Sequence, residues 1–159
     1  MSAKAITGGC QCGAVRYRVE GALTNAHICH CRMCQKAAGN YFMPLAKAMN
    51  DSFSVTRGEI AWYRSSDPVR RGFCRDCGTP LIFEIVGSTG PNVTLGSLDD
   101  PAAIKPAEQC APHAKMPWFG ELDTLVPEAD SSAWYAEIAP SARQHPDHDT
   151  PEWPPEKTT

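Results

Sequence analysis

Nowhere in its 159 residues does the chain carry an apolar run of about 20 residues, so no membrane-spanning helix is expected. Met1–Gly9 hold one lysine and no continuous apolar stretch; no secretory signal is expected there, and the chain reads as soluble and cytoplasmic. An excess of positive charge is missing too. The formal net charge is -3, which leaves no basic field to draw nucleic acid by counterion release. Neither nucleic acid nor a membrane is an expected partner. Helical periodicity sustained over about 10 to 15 residues is absent between the candidate strands, which argues against alternating α/β layers.

Cysteine, by contrast, is abundant. Seven of the eight cysteines fall into three tight clusters: Cys10-Gln-Cys12, Cys29-His-Cys31-Arg-Met-Cys34 and Cys74-Arg-Asp-Cys77-Gly78. Thiols one or two residues apart can close a tetrahedral Zn–S4 site with bonds of about 2.3 Å, once a second cluster folds back to meet them. A disulfide framework would need an oxidising compartment, which the N-terminus does not suggest. Zinc is therefore the expected use. With 42% hydrophobic and 21% charged residues the chain can form an ordinary core without metal, so zinc should organise sites rather than supply all the stability.

Val15, Tyr17 and Val19 alternate with Arg16, Arg18 and Glu20, the period of a strand with one buried face. Met33–Ala38, ending at Gly39-Asn40, reads as one or two helical turns with Cys34 near the start. Strands are expected at Phe53–Thr56, Ile60–Arg64, Val69–Phe73, Leu81–Val86 and Val93–Leu98, separated by turn residues. The expected fold is antiparallel and mainly β. Arg57, Arg64, Arg70, Arg71 and Arg75 cluster mid-chain and are expected on a solvated strand face. From Pro140 the composition turns to prolines, acids and histidines, giving an expected division into a domain at 1–139 and a mobile tail at 140–159. His145 and His148 are expected in solvent, and Trp153 is the one residue that could anchor the tail.

Cys10 and Cys12, at i and i+2 in an extended segment, point to one side; with Cys74 and Cys77 they make a closed four-thiolate centre, inert and structural. Cys29, Cys31 and Cys34 supply three thiolates from six residues and leave a fourth position for His27, His30, Cys110, His113 or an outside molecule. Three protein ligands and one open place is the layout of a catalytic zinc, and a closed second structural site is the alternative. His30 is expected to point away from the ligands, and Cys110 to be a buried or free thiol.

Four segments in this order, Gly8-Gly-Cys-Gln-Cys-Gly-Ala-Val-Arg-Tyr17, Cys29-His-Cys-Arg-Met-Cys-Gln-Lys36, Gly72-Phe-Cys-Arg-Asp-Cys-Gly-Thr-Pro-Leu81 and Gly96-Ser-Leu-Asp-Asp-Pro101, resemble the glutathione-dependent formaldehyde-activating enzyme family, which includes centromere protein V. The resemblance runs from about Gly8 to Leu125. It implies a β-tent fold of antiparallel sheets with few helices. It also implies two zinc ions, one structural at Cys10, Cys12, Cys74 and Cys77, and one catalytic at Cys29, Cys31 and Cys34; by charge, a zinc held by three thiolates carries about -1 and binds a fourth loosely, so the second can be labile. The implied activity is that of a carbon-sulfur lyase of the S-hydroxymethylglutathione synthase type, with a glutathione-like thiol and a small aldehyde as partners. Arg64, Arg70, Arg71 or Lys36 are candidates to clamp the carboxylates of such a thiol. One departure stands out: Gln109-Cys110 lies where the family often has a His followed by apolar residues. The alternatives are a zinc-stabilised protein-binding module without catalysis, and a redox or metal-handling role for Cys29, Cys31 and Cys34.

Overall fold

Short alternating segments build the smaller of two sheets. Its strands β1 (Ile6–Gly9) and β2 (Arg16–Val19) pair antiparallel, and β5 (Phe53–Arg57) adds to the free side of β2. Val15, Tyr17 and Val19 are buried on one face, as the period of two requires. Arg16 departs from that pattern. Expected on the outward face, it is only 3% exposed, and its guanidinium reaches both oxygens of Asp99 (2.5 and 2.7 Å) and Asp149 (2.7 Å). A buried cation persists when it is paired in this way. Burial alone would raise the Asp99 carboxyl, but hydrogen bonds from Arg16 and Thr7 outweigh it and hold the group below its ordinary range.

The computed structural model describes residues 5–154, and among them the chain is mainly β, with ten strands in two sheets. The larger sheet contains β3 (Thr24–Cys29), β4 (Met43–Lys47), β6 (Ala61–Arg64), β7 (Val69–Phe73), β8 (Pro80–Ile85), β9 (Asn92–Thr94) and β10 (Glu108–Cys110). Their spatial order is β10-β3-β4-β9-β8-β7-β6. Every pair is antiparallel except β10 with β3, which is parallel, with Cys110 level with Cys29. The segment Val93–Leu98 is not one strand: β9 stops at Thr94 and a 3-10 turn takes Leu95–Ser97, where Thr94 and Ser97 bond through their hydroxyls at 2.9 Å.

Cross-strand register divides the larger sheet into two working faces. Ala46, Val93 and Ile82 lie in one row and pack with Tyr17 and Val19 of the smaller sheet into the main core. The row Phe83, Arg71 and Tyr63 faces the other way, where Cys34, Met43 and Leu45 form a second apolar cluster with Cys29, Cys31 and Phe83. Helix α1 (Arg32–Ala38) sits on this side. It begins at Cys31, whose sulfur caps the backbone N–H of Cys34, and ends at Gly39 in the left-handed conformation.

Beyond the sheets, the chain forms 3-10 turns and a second helix, α2 (Ser132–Ile138), that buries none of its side chains. Of the segment expected as a tail over 140–159, residues 155–159 lie outside the described residues, and the expectation of a solvated His145 is corrected. His145 is buried, its N–H donates to the Gln11 carbonyl at 2.7 Å, and its ring meets Trp153 edge-on at 5.1 Å. Trp153 Nε1–H donates to the Cys12 carbonyl at 2.7 Å, and Arg57 holds the Thr150 carbonyl. Gly13 makes this fit possible: its φ is +75°, and a Cβ there would lie 2.4 Å from both His145 and Trp153. Polar anchors on backbone carbonyls and Arg16 hold the segment in place, where apolar content alone predicts none.

Candidate metal centres

The loop from β1 to β2 carries Cys10 and Cys12, and the turn from β7 to β8 carries Cys74 and Cys77. The sheets bring these two turns together, so that the four Sγ atoms lie within 4.8 Å of one another. Cys10 and Cys12 are 3.6 Å apart at sulfur, and Cys12 and Cys74 3.8 Å. A tetrahedral Zn–S4 site with bonds of about 2.3 Å spaces its sulfurs about 3.8 Å apart, so the donor set fits a zinc ion as it stands. The turn is made by Gly78 (φ +77°), whose N–H bonds back to the Cys74 carbonyl at 2.9 Å.

The protonation of these thiols shows what the set lacks without a cation. Burial pushes Cys10 up to about 12, with the Val15 N–H opposing at 3.2 Å from its sulfur. Cys77 goes the other way, to about 6: burial opposes, but the Thr79 hydroxyl, 3.1 Å from its sulfur, and backbone N–H groups outweigh it. Cys12 is raised as Cys10 is, again by burial first, and neighbouring sulfurs at this spacing add repulsion between thiolates. A divalent cation at the centre removes that repulsion and lets all four ionise.

Cys29, Cys31 and Cys34 come from the end of β3 and the start of α1, and their sulfurs also lie within 4.8 Å of one another. The pattern of protonation repeats. Burial drives Cys29 up to about 12 and raises Cys34, whereas Cys31 sits below its ordinary value because hydrogen bonds from the Cys34 N–H and neighbouring thiols outweigh its burial. Among the described residues no fourth Cys, His, Asp or Glu joins this set. His27 turns its Nδ1 to the Asn25 carbonyl at 2.7 Å. Cys110, expected to be buried or free, is exposed, with its carbonyl accepting from the His30 N–H at 3.0 Å.

His30 does point away from the thiols, into a fully buried slot. Its Nε2–H donates to Gln109 Oε1 at 3.0 Å, and its ring meets Phe119 edge-on at 4.8 Å and Phe42 at 6.3 Å. Gln35, also buried, donates to the carbonyls of His30 (2.8 Å) and Ala114 (3.1 Å). These contacts hold the three-thiol loop from behind. Gln109, a departure from the family pattern in the sequence, thus has a structural task. Thr79 and Gln35 went unnoticed in the sequence, although both sit within two residues of a cluster cysteine.

Of the four candidate clamp residues, only Arg71 is at the site. Its Nη2 lies 3.5 Å from Cys34 Sγ and its Nη1 3.6 Å from Met43 Sδ, with the guanidinium 5.1 Å from the Phe83 ring centre. Arg70 faces the other side of the sheet, bound to Glu84 and stacked 4.0 Å over Trp62; Arg64 bonds the Asp67 carbonyl. Lys36 lines a separate open cleft on α1 with Arg32, Gln35 and Tyr41.

A mainly β chain with one four-thiol and one three-thiol cluster has a recognisable kinship. The model of the glutathione-dependent formaldehyde-activating enzyme family matches residues 5–113, and the chain belongs to that family. It is similar to an uncharacterized lyase of Schizosaccharomyces pombe, 29% identical over 84 residues that cover 53% of this chain and 61% of that protein. The chain thus spans about three fifths of the length of that curated relative. A crystal structure of a Rhodobacter sphaeroides protein shares the fold, with a TM-score of 0.54 at 23% identity, covering 65% of this chain and 98% of that one.

Proposed function

We propose that the protein is a carbon-sulfur lyase that adds a small aldehyde to a thiol such as glutathione, or removes it, at the loop of Cys29, Cys31 and Cys34. The observation that carries this reading is the contrast in donor count: one set of four sulfurs is complete, and the other stops at three among the described residues. On this reading two zinc ions bind, one structural at Cys10, Cys12, Cys74 and Cys77, and one exchangeable at Cys29, Cys31 and Cys34. Zinc in the second set supplies a Lewis-acid position that favours the thiolate of an added thiol.

The chain's own residues do the rest. In the synthetic direction the thiol sulfur forms a bond to the carbonyl carbon, the C=O π bond breaks, and the proton lost by sulfur ends on the former carbonyl oxygen. Arg71 offsets the negative charge that three thiolates concentrate beside it. Gln35 and Gln109 hold the loop backbone and His30, and Phe42 and Phe119 keep water from its rear. On this reading the carboxylates of a peptide thiol extend to Arg32 and Lys36 in the open cleft on α1. Free thiols suit a reducing compartment, so the reading includes the cytoplasm; among the described residues no helix is long and apolar enough to cross a membrane.

The reading as a binding module built on Trp153 has less support, since that indole N–H is already bonded to Cys12. The test is hemithioacetal formation from glutathione and an aldehyde by zinc-loaded protein. The rate should exceed the spontaneous one and fall to it in Cys34→Ala. An unchanged rate in that variant sinks the proposal.

A further inference from the structure

A cavity of ≈ 310 Å³ lies between α1 and the edge of the larger sheet, and it shares Arg71 and Met43 with the surroundings of Cys34. Met43, Tyr63, Phe73 and Pro80 give it apolar walls, and Arg71 is the one charged side chain that lines it. Such a space is at the lower end of what organic ligands occupy. Formaldehyde, with two heavy atoms, needs little more than the ~30 Å³ share of a water molecule. The cavity is therefore some tenfold too large for the smallest aldehyde.

Two further features point to what would fill it. Arg71 Nη1 directs its N–H at the Met43 thioether, a weak acceptor, and the arginine as a whole is buried, 7% exposed. A carbonyl oxygen in the cavity would be a far better partner for that donor. A tripeptide thiol, with two carboxylates, is a poor occupant, because Arg70 and Arg64 are bound elsewhere and Lys36 lines the separate cleft.

We infer that the aldehyde this site takes carries an apolar group of about six to nine carbons, aromatic or branched, seated in this cavity with its carbonyl oxygen on Arg71. The inference rests on the thiol–aldehyde reading above and names its substrate class. Desolvation of the apolar group against these side chains selects for it over formaldehyde.

The test uses zinc-loaded, full-length protein with glutathione as the thiol, comparing phenylacetaldehyde with formaldehyde, each relative to its own spontaneous rate. Acceleration should favour phenylacetaldehyde by at least about tenfold, equivalent to about 1.4 kcal/mol. Separately, 2-phenylethanol, which cannot react, should bind by ligand-observed NMR. Ala37→Phe, on the exposed side of α1 where it lines the cavity, should weaken that binding and shift the rate ratio towards formaldehyde. Tyr63→Asp, at the exposed mouth, is the second variant should the first not fold. A preference for formaldehyde, no binding of 2-phenylethanol, or a preference untouched by both variants overturns the assignment. Acceleration with neither aldehyde overturns the thiol–aldehyde reading itself; the 2-phenylethanol measurement separates the two failures, because it reports on the cavity alone.

Discussion

The two thiol clusters share a chemistry and differ in what they tie together. Cys10 and Cys12 stand more than sixty positions from Cys74 and Cys77, on turns of different sheets, and the C-terminal segment covers the first of those turns. Cys29, Cys31 and Cys34 belong to one six-residue stretch and join nothing that the chain does not already join. A cation in the first set closes a long loop and adds to folding free energy; a cation in the second closes almost none. On the proposed reading, position along the chain separates a brace from a site of chemistry, although both are built from the same residue.

The sharpest way to break that comparison is to remove one sulfur from each set. Cys74→Ala should unfold the protein or lower its melting temperature by more than about 10 °C, read by calorimetry. Cys34→Ala should melt within a few degrees of the parent while losing its thiol-dependent activity. Equal destabilisation of the two variants would mean that both sets are braces. Stepwise chelation should sharpen the contrast: metal analysis during dialysis should show the three-thiol site emptying first, with the melting temperature falling only when the second ion leaves.

Smaller effects come from the cover over the four-thiol loop. Trp153→Ala removes an indole donor and its packing on His145, and should cost about 1–2 kcal/mol, or roughly 2–8 °C in melting temperature. The Arg16–Asp99 pair should give a pH signature. The Asp99 carboxyl is lowered in the folded state, so its contribution is fully present above the unfolded value and is lost as pH falls through the folded one. The melting difference between parent and Asp99→Asn should accordingly shrink as the pH is taken from about 6 to below 3. A constant difference would remove the ion pair from the account.

How much of this was legible in the chain depended on the range of the interactions. β2, α1 and the middle strands follow from local alternation, turn glycines and caps. β4 did not stand out, because Met43, Leu45 and Ala46 are all buried and show no period of two. β10 is three exposed residues whose strand character comes from its parallel partner β3. The grouping of the seven cysteines was readable from spacing alone. Arg71 was visible only as one of several arginines, since its proximity to Cys34 depends on the register of β7 against β8. The burial of Arg16 was invisible for the same reason: its partners lie 83 and 133 residues away.

The contact between Trp153 and Cys12 also has an order in time. During synthesis the four sulfurs are all present once Cys77 has been made, and the loop of Cys10 to Gly13 still lies open on one side. The segment that covers it is made some seventy residues later. An ion can thus enter while the chain is still growing, before residues 145–154 pack on the loop that carries Cys10 and Cys12. The speed of exchange in the finished protein would then be set by how often residues 145–154 lift away, a local opening rather than global unfolding.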